Sequence, residues 1–337
     1  MKATAVAPAN IAFIKYWGKA DPPAGEAGDV LRLPLNSSIS MNLSACTTTT
    51  TVEFSHNLSG DDVLFLDALT TMSRPRDACQ RIVRHLDLLR QRAGTACFAK
   101  VTTRNSFPSA SGIASSASGF AALTVAAVSA LGLDLSEVEL SILARMGSGS
   151  ACRSIPDGFV EWKKGTDSDT SWAYSLHPPA YWDLRDVLVI ADDRMKKISS
   201  ADGQTGVKTS PYWQERVNGI AQKMIDIKAA LTAKDFPALG KITEEDCLNM
   251  HHVMQTQVPP VYYWNDVTKR IMESVVQWRN QGIPVYFTID AGPNVHLICE
   301  AKDEQTVVMR AKALGGVKKI IVNKPSAGAH RTNDHLF

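Results

Sequence analysis

The residues best suited to chemistry lie in the run Asn105-Ser106-Phe107-Pro108-Ser109-Ala110-Ser111-Gly112-Ile113-Ala114-Ser115-Ser116-Ala117-Ser118-Gly119. Small side chains and a glycine let backbone approach a ligand closely. Serine hydroxyls and unpaired N–H groups at the start of a helix favour an anion. A strand-like run (97–103) precedes this stretch, and an apolar, alanine-rich segment (120–131) follows it and reads as a buried helix. Composition and context describe a phosphate cradle, although a capped helix behind a Ser-rich linker reads the same way. It is not a Walker loop, because no Gly-Lys-Ser/Thr follows. A second small-residue loop, 147–154, carries Arg153, whose planar fork suits a carboxylate better than lysine would. Lys15 is set among Ile11, Phe13 and Ile14, so its ammonium is expected to face a polar pocket. Asp290 lies between two apolar runs beside Gly292-Pro293, which is also an ordinary place for an Asp in a turn.

The elements that must position these residues alternate along the chain. Residues 2–16 read as two short strands broken at Pro8-Ala9-Asn10, and 21–33, rich in Pro, Gly and acidic residues, as a loop. Segments 37–43 and 47–54 read as strands of an antiparallel meander, and 75–92 as an amphipathic helix with Arg on its polar face. A helix over 136–146 has Ser136 as N-cap and Glu139 completing a capping box. The second half gives strand signals at 187–190, 285–289, 296–299 and 318–322, and helix signals at 212–232, 236–255, 265–281 and 304–314. Strands alternating with helices indicate an α+β fold, with a boundary near residue 185.

Composition narrows the classes. The 337 residues suffice for two domains, and fractions of 45% hydrophobic and 21% charged are those of a globular protein. A net charge of +2 argues against a general nucleic-acid binder while permitting a local basic pocket. The six cysteines are scattered, with no metal-type spacing, so a reduced, cytoplasmic compartment is expected. The N-terminus has no apolar signal region, and the longest apolar run, 119–133, is too short to span a bilayer, so no membrane partner is expected.

Ala7-Pro8-Ala9-Asn10-Ile11-Ala12, continuing to Ile14-Lys15-Tyr16-Trp17-Gly18-Lys19, resembles the N-terminal signature of the mevalonate diphosphate decarboxylases, members of the GHMP superfamily of small-molecule kinases. Four further segments fit that family in the same order: Leu33-Pro34-Leu35-Asn36-Ser37-Ser38-Ile39-Ser40, the Ser-rich cradle, 147–153, and Thr288-Ile289-Asp290-Ala291-Gly292-Pro293-Asn294. The resemblance implies a GHMP-kinase-like two-domain α+β fold, with antiparallel sheets carrying helices on one face and a cleft between the domains. It implies a nucleotide-binding domain over residues 1–185 and a second domain over 186–337 with the catalytic Asp.

The reaction implied is ATP-dependent decarboxylation of 5-diphosphomevalonate to isopentenyl diphosphate. The tertiary 3-hydroxyl is phosphorylated, and phosphate and carbon dioxide then leave together. The family match makes Asp290 the base or hydroxyl-orienting carboxylate, with Lys15 beside it, and gives Arg153 the substrate carboxylate. It places Asn10 near the 3-hydroxyl and Tyr16, Lys19, Ser148 and Ser150 on the substrate phosphate, while Arg76 is expected to reach the site. ATP falls to Ser109, Ser111, Gly112, Ser115 and Ser116, with Ser37 and Ser38 approaching the adenosine side. Mg²⁺ is expected to arrive on ATP rather than in a protein-built cage, and a homodimer is expected from family habit.

Three departures from the family pattern stand out: the long 21–33 loop, Ile155-Pro156-Asp157-Gly158, and Lys324-Pro325-Ser326-Ala327-Gly328-Ala329-His330-Arg331, which is similar to other GHMP endings. They leave 5-phosphomevalonate, giving isopentenyl phosphate, as an alternative substrate. A kinase that stops after phosphoryl transfer is disfavoured by the presence of Asp290 and Lys15, and a non-catalytic nucleotide sensor by the presence of Lys15, Arg153 and Asp290 together.

Overall fold

The computed structural model describes residues 1–20, 31–66, 76–108, 115–194 and 198–337. The chain first forms β1 (Lys2–Ile14), β2 (Ser38–Ser55), β3 (Asp62–Phe65), α1 (Arg76–Ala93), β4 (Phe98–Asn105), α2 (Ser115–Ala130), α3 (Glu137–Gly147), a 3-10 turn (Gly149–Ser154), β5 (Phe159–Trp162) and β6 (Ala173–His177). It continues through β7 (Leu184–Ile190), α4 (Trp213–Ala233), α5 (Phe236–Thr256), α6 (Asp266–Asn280), β8 (Tyr286–Thr288), β9 (Val295–Glu300), α7 (Glu304–Lys312), β10 (Lys319–Asn323) and β11 (His330–Thr332).

Among the described residues the strands form two sheets. The first has the order β11-β1-β2-β4-β3, with β5 on β2 and β6 on β5; the second runs β10-β7-β9-β8. Pairing is antiparallel except between β3 and β4, which are parallel, so the first sheet is mixed rather than purely antiparallel. The tail assigned from sequence to the second domain sends β11 back to pair with β1.

The expected break at Pro8 is absent. β1 is continuous, and its register against β2 shifts between Pro8 and Asn10. A bulge tolerates the missing proline N–H, which a regular ladder does not. β2 likewise joins two expected strands into one of 18 residues. Its extra residues at the shift bond to the end of β10: Ser44 N–H donates to Lys324 O at 3.1 Å, and Ala45 N–H to Asn323 Oδ1 at 2.9 Å. A threonine ladder stiffens the middle of the sheet, with Oγ1 contacts of 2.7 Å between Thr4 and Thr51 and 2.9 Å between Thr50 and Thr103.

Helix α2 is buried on nearly every side, as its run of Ala and Ser allows, and packs on β1, β2, α1 and α3. The capping box of α3 forms as expected, Ser136 and Glu139 each satisfying the other's backbone N–H. A second core lies where Ile11, Phe13 and Ile14 of β1 meet Leu188 and Ile190 of β7 and Ile220 and Ile227 of α4. This shared core fixes the end of β1, and therefore Lys15, between the two sheets.

Candidate active site

β1 ends at Ile14, and the next residue turns its side chain out of the shared core. Lys15 Nζ lies 2.6 Å from Asp290 Oδ1, which comes from the loop joining β8 to β9. Burial alone would raise the Asp290 pKa. The Lys15 ammonium, with smaller contributions from His296 and Arg153, outweighs that and holds the carboxyl below its ordinary value. Asp290 is therefore a carboxylate at neutral pH, and a weak proton acceptor until a more acidic hydroxyl faces it.

Arg153, on the 3-10 turn, is 3% exposed. Its Nη1 donates to Ser38 Oγ at 2.7 Å, its Nε to Asn10 Oδ1 at 3.2 Å and Ser40 Oγ at 3.1 Å, and its Nη2 to Asn10 Oδ1 at 3.1 Å. These acceptors are all neutral, so they orient the guanidinium without neutralising it. Asn10 is held in turn through Nδ2 by Ser154 Oγ at 2.8 Å and Ser150 O at 3.2 Å. Burial pulls the Arg153 pKa below the usual guanidinium value, yet the group stays a cation.

Among the described residues that line this cleft are five cations, Lys15, Lys19, Arg32, Arg81 and Arg153, against one carboxylate, Asp290. Such a wall favours a polyanion. Tyr16, Ser148 and Ser150 line it as well. Tyr16 leans on Trp162 with ring centroids 4.6 Å apart, and a Cβ at position 149 would come within 3.0 Å of the Tyr16 ring. Gly149 therefore lets the turn lie flat against that ring. Gly18, at φ +94°, makes the reversal between Trp17 and Lys19 that only glycine adopts cheaply.

A second, more apolar cavity adjoins the first and shares Arg81, Ser115 and Ser116 with it. Ile82, Phe120, Leu123, Thr50 and Asn105 supply part of its wall. Arg81 Nη2 donates to Gly147 O at 3.1 Å, its guanidinium lies 4.9 Å from the Phe120 ring centre, and Ser148 Oγ donates to Ser116 Oγ at 3.1 Å. The start of α2 thus sits on the rim between an apolar slot and a basic cleft.

The structure brings together Lys15, Asp290, Arg153, Tyr16, Lys19, Ser115, Ser116, Ser148 and Ser150. It separates others from the cleft. Asn10 orients Arg153. Ser38 also bonds Arg153, and Ser37 Oγ accepts from Lys164 N–H at 2.9 Å, so neither approaches the apolar slot. Ser109, Ser111 and Gly112 lie outside the described residues, as do positions 21–30 of the long loop, and Arg76 opens α1 with its side chain outside the described part. Arg81, Arg32, Ser199, Ser200 and Gln204 line the cleft without having been singled out. The arginine-bearing face of α1 was the available signal for Arg81.

A two-sheet α+β protein that opens a basic cleft beside a helix start and a carboxylate has a GHMP-kinase-like fold. Residues 7–173 match the diphosphomevalonate decarboxylase-like N-terminal domain, and 187–328 the mevalonate 5-diphosphate decarboxylase C-terminal domain. Diphosphomevalonate decarboxylase of Candida albicans is 35% identical over 99% of this chain and 99% of its own length. The human enzyme is 35% identical over 86% of this chain and 75% of its own. A solved structure of MDDEF in complex with MVAPP, AMPPCP and magnesium superposes with a TM-score of 0.89 at 37% identity, covering 98% of this chain and 99% of that one. Mevalonate diphosphate decarboxylase from Staphylococcus aureus superposes with a TM-score of 0.90 at 36% identity, covering 98% of each. The chain belongs to the diphosphomevalonate decarboxylase family.

Proposed function

We propose that this protein is an ATP-dependent carboxy-lyase that converts 5-diphosphomevalonate to isopentenyl diphosphate, with Mg²⁺ carried on the nucleotide. The observation that carries the reading is the 2.6 Å Lys15–Asp290 pair facing a cleft whose other charged residues, among those described, are cationic. The apolar slot takes the nucleotide base, and the shared rim of Ser115, Ser116 and Arg81 takes the phosphates. The basic cleft takes the phosphorylated acid, with Tyr16, Lys19, Ser148 and Ser150 on its phosphate end and Arg153 on its carboxylate. The γ-phosphoryl group crosses the rim to the 3-hydroxyl oxygen, whose hydrogen faces Asp290.

Phosphoryl transfer through a loose transition state needs little base catalysis, so a carboxylate held ionised by Lys15 is well suited to orient the hydroxyl and take its proton late. In the second step the bond from the carboxylate carbon to C2 breaks and carbon dioxide leaves. Its electron pair forms the new C2–C3 double bond as the C3–O bond breaks and phosphate departs. Arg153, whose direct hydrogen-bond acceptors are all neutral, keeps its charge for the carboxylate. Mg²⁺ supplies charge neutralisation on the phosphates.

Two of the sequence departures pack on each other. Gly328 N–H donates to Asp157 Oδ1 at 2.7 Å, and Gly158 N–H to Ser326 O at 2.9 Å. Neither segment is among the residues lining the cleft, which weakens the case for a shortened phosphate site. A cytoplasmic homodimer completes the reading, supported by the scattered free cysteines and by family habit. No helix among the described residues is long and apolar enough to cross a membrane.

Release of carbon dioxide and ADP, measured in parallel on 5-diphosphomevalonate and 5-phosphomevalonate, tests the function. Larger kcat/KM for the diphosphate is expected. Preference for the monophosphate overturns the substrate assignment, and ADP without carbon dioxide overturns the decarboxylation.

A further inference from the structure

Lys15 is held by its backbone as well as by its side chain. Its N–H donates to Asp246 Oδ2 at 2.7 Å, and its carbonyl accepts from Arg216 Nη2 at 3.1 Å and Asn36 Nδ2 at 2.9 Å. Arg216 also grips Asp246 with both ends of its fork, Nη1 to Oδ1 at 2.9 Å and Nη2 to Oδ2 at 3.2 Å. Both side chains are 0% exposed, and neither residue lines the cleft. The pair joins α4 to α5.

The partner of Lys15 is anchored to the same helix. At the residue preceding Asp290, Ile289 N–H donates to Cys247 Sγ at 3.2 Å, and Ile289 O lies 3.3 Å from His251 Nε2. Cys247 and His251, four residues apart, share one face of α5, and Asp246 lies about 100° round the axis on the adjoining buried face. One rigid helix therefore touches the backbone beside both members of the Lys15–Asp290 pair.

We propose that α5, acting through Asp246 and its partner Arg216, is the positioning device that sets the separation of Lys15 from Asp290. The pair needs such a device, because a misplacement of about 1 Å at a reacting group can cost roughly 100-fold in rate. A buried ion pair is by itself weak evidence for stability. Here one acceptor of Asp246 and one donor of Arg216 are spent on the two peptide groups flanking the Lys15 side chain. The inference rests on the assignment of Lys15 and Asp290 to the reacting hydroxyl.

The test reads Asp290 directly. Its carboxyl is titrated by NMR in ¹³C-aspartate-labelled protein, identified by the signal lost in Asp290→Asn, in the unaltered enzyme and in Asp246→Asn, Arg216→Lys and the neutral double variant Asp246→Asn/Arg216→Gln. The groups that face Asp290 are Lys15 from the end of β1, Arg153 from the 3-10 turn, His296 from β9, and Cys247 and His251 from α5. Neither Asp246 nor Arg216 is among them, and the direct bonds to these groups that the substitutions loosen are those to the Lys15 backbone. Loosening it is expected to raise the Asp290 titration midpoint by about one pH unit. It should also lower kcat roughly 10- to 100-fold per folded molecule, with KM for ATP within about threefold. Lys223→Gln, which removes a cation 3.1 Å from Asp246 Oδ1 without touching the Lys15 backbone, should leave the midpoint in place.

An unshifted midpoint and unchanged kcat in any folded variant of Asp246 or Arg216 overturn the proposal. So does a loss of rate that only tracks the folded fraction. A shifted midpoint in a protein whose unaltered form releases no carbon dioxide keeps the positioning role and overturns the reaction instead. The double variant covers the case in which a single substitution strands a buried charge and fails to fold.

Discussion

Lys15 belongs to two electrostatic assemblies at once, and they are built differently. Its ammonium meets Asp290, whose side chain keeps 24% of its surface open toward the cleft. Its peptide groups meet Asp246 and Arg216, both sealed. For Asp246, burial pushes the pKa up, and Arg216 followed by Lys223 brings it back below the ordinary carboxylate value. The open pair leaves lone pairs for a substrate. The sealed pair uses its own on protein, with Arg216 Nη1 also donating to Asn249 Oδ1 at 2.7 Å. On the reading proposed above, similar chemistry serves reaction on one side of a residue and alignment on the other, and solvent access separates the two uses.

Breaking the open pair should produce the largest effect, and on rate. Asp290→Asn is expected to lower kcat by about 10²- to 10⁴-fold while ATP affinity stays within a few-fold, read by steady-state assay and calorimetry. Unchanged turnover would remove Asp290 from the chemistry.

Breaking the sealed pair should act first on stability. Arg216→Met strands a buried carboxylate and is expected to cost about 3–5 kcal/mol in urea unfolding. Asp246→Leu/Arg216→Met should recover most of that, since a buried pair replaced whole by apolar residues is often neutral. Its kcat should stay depressed, because no carboxylate then receives the Lys15 N–H. Full recovery of both would erase the distinction drawn here.

A smaller, pH-dependent effect sharpens the contrast. Burial lowers the pKa of His251, beside both pairs, from 6.5 to about 3. Its folded value lies below its unfolded one, so as pH falls through 6.5 the unfolded chain takes up the proton first. The stability it contributes is therefore full above pH 6.5 and declines toward pH 3. Between about pH 6.5 and pH 5 this amounts to about 2 kcal/mol. His251→Gln should flatten the slope of urea midpoint against pH by that share. His85, whose buried ring bonds Thr124 and whose pKa is lowered to about 4, should keep its own slope in the same variant.

The cradle helix, the capped α3 and the alternation of strands and helices were legible because each is written in local spacing. The cleft-lining positions Lys15, Tyr16, Lys19, Ser148, Ser150, Arg153 and Asp290 were legible through motif resemblance. The cage of Arg153 was not, because Asn10, Ser38 and Ser40 reach it from two different strands. The sealed pair had a signal that went unread. Arg216 falls on the buried stripe of Trp213, Ile220 and Ile227 in α4, and Asp246 on that of Leu239, Thr243 and Met250 in α5. One charge of each sign on two otherwise apolar stripes calls for a mutual partner. The unbroken β1 was misread because Pro8 stops a regular ladder but not a bulge.

The return of β11 to the first sheet has a mechanical consequence. Residues 184–323 leave that sheet after β6 and come back to it before β11, so the second layer is an insertion tethered at two points. A body on one linker can swivel about any axis. A body on two can turn only about the line joining them, and the contacts of β2 with Asn323 and Lys324 mark one end of that line. The core that packs β1 against β7 and α4 blocks even that turn, so the tethers act as a brace: Lys15 and Asp290 stand on parts of one frame that is pinned at both ends and glued in the middle.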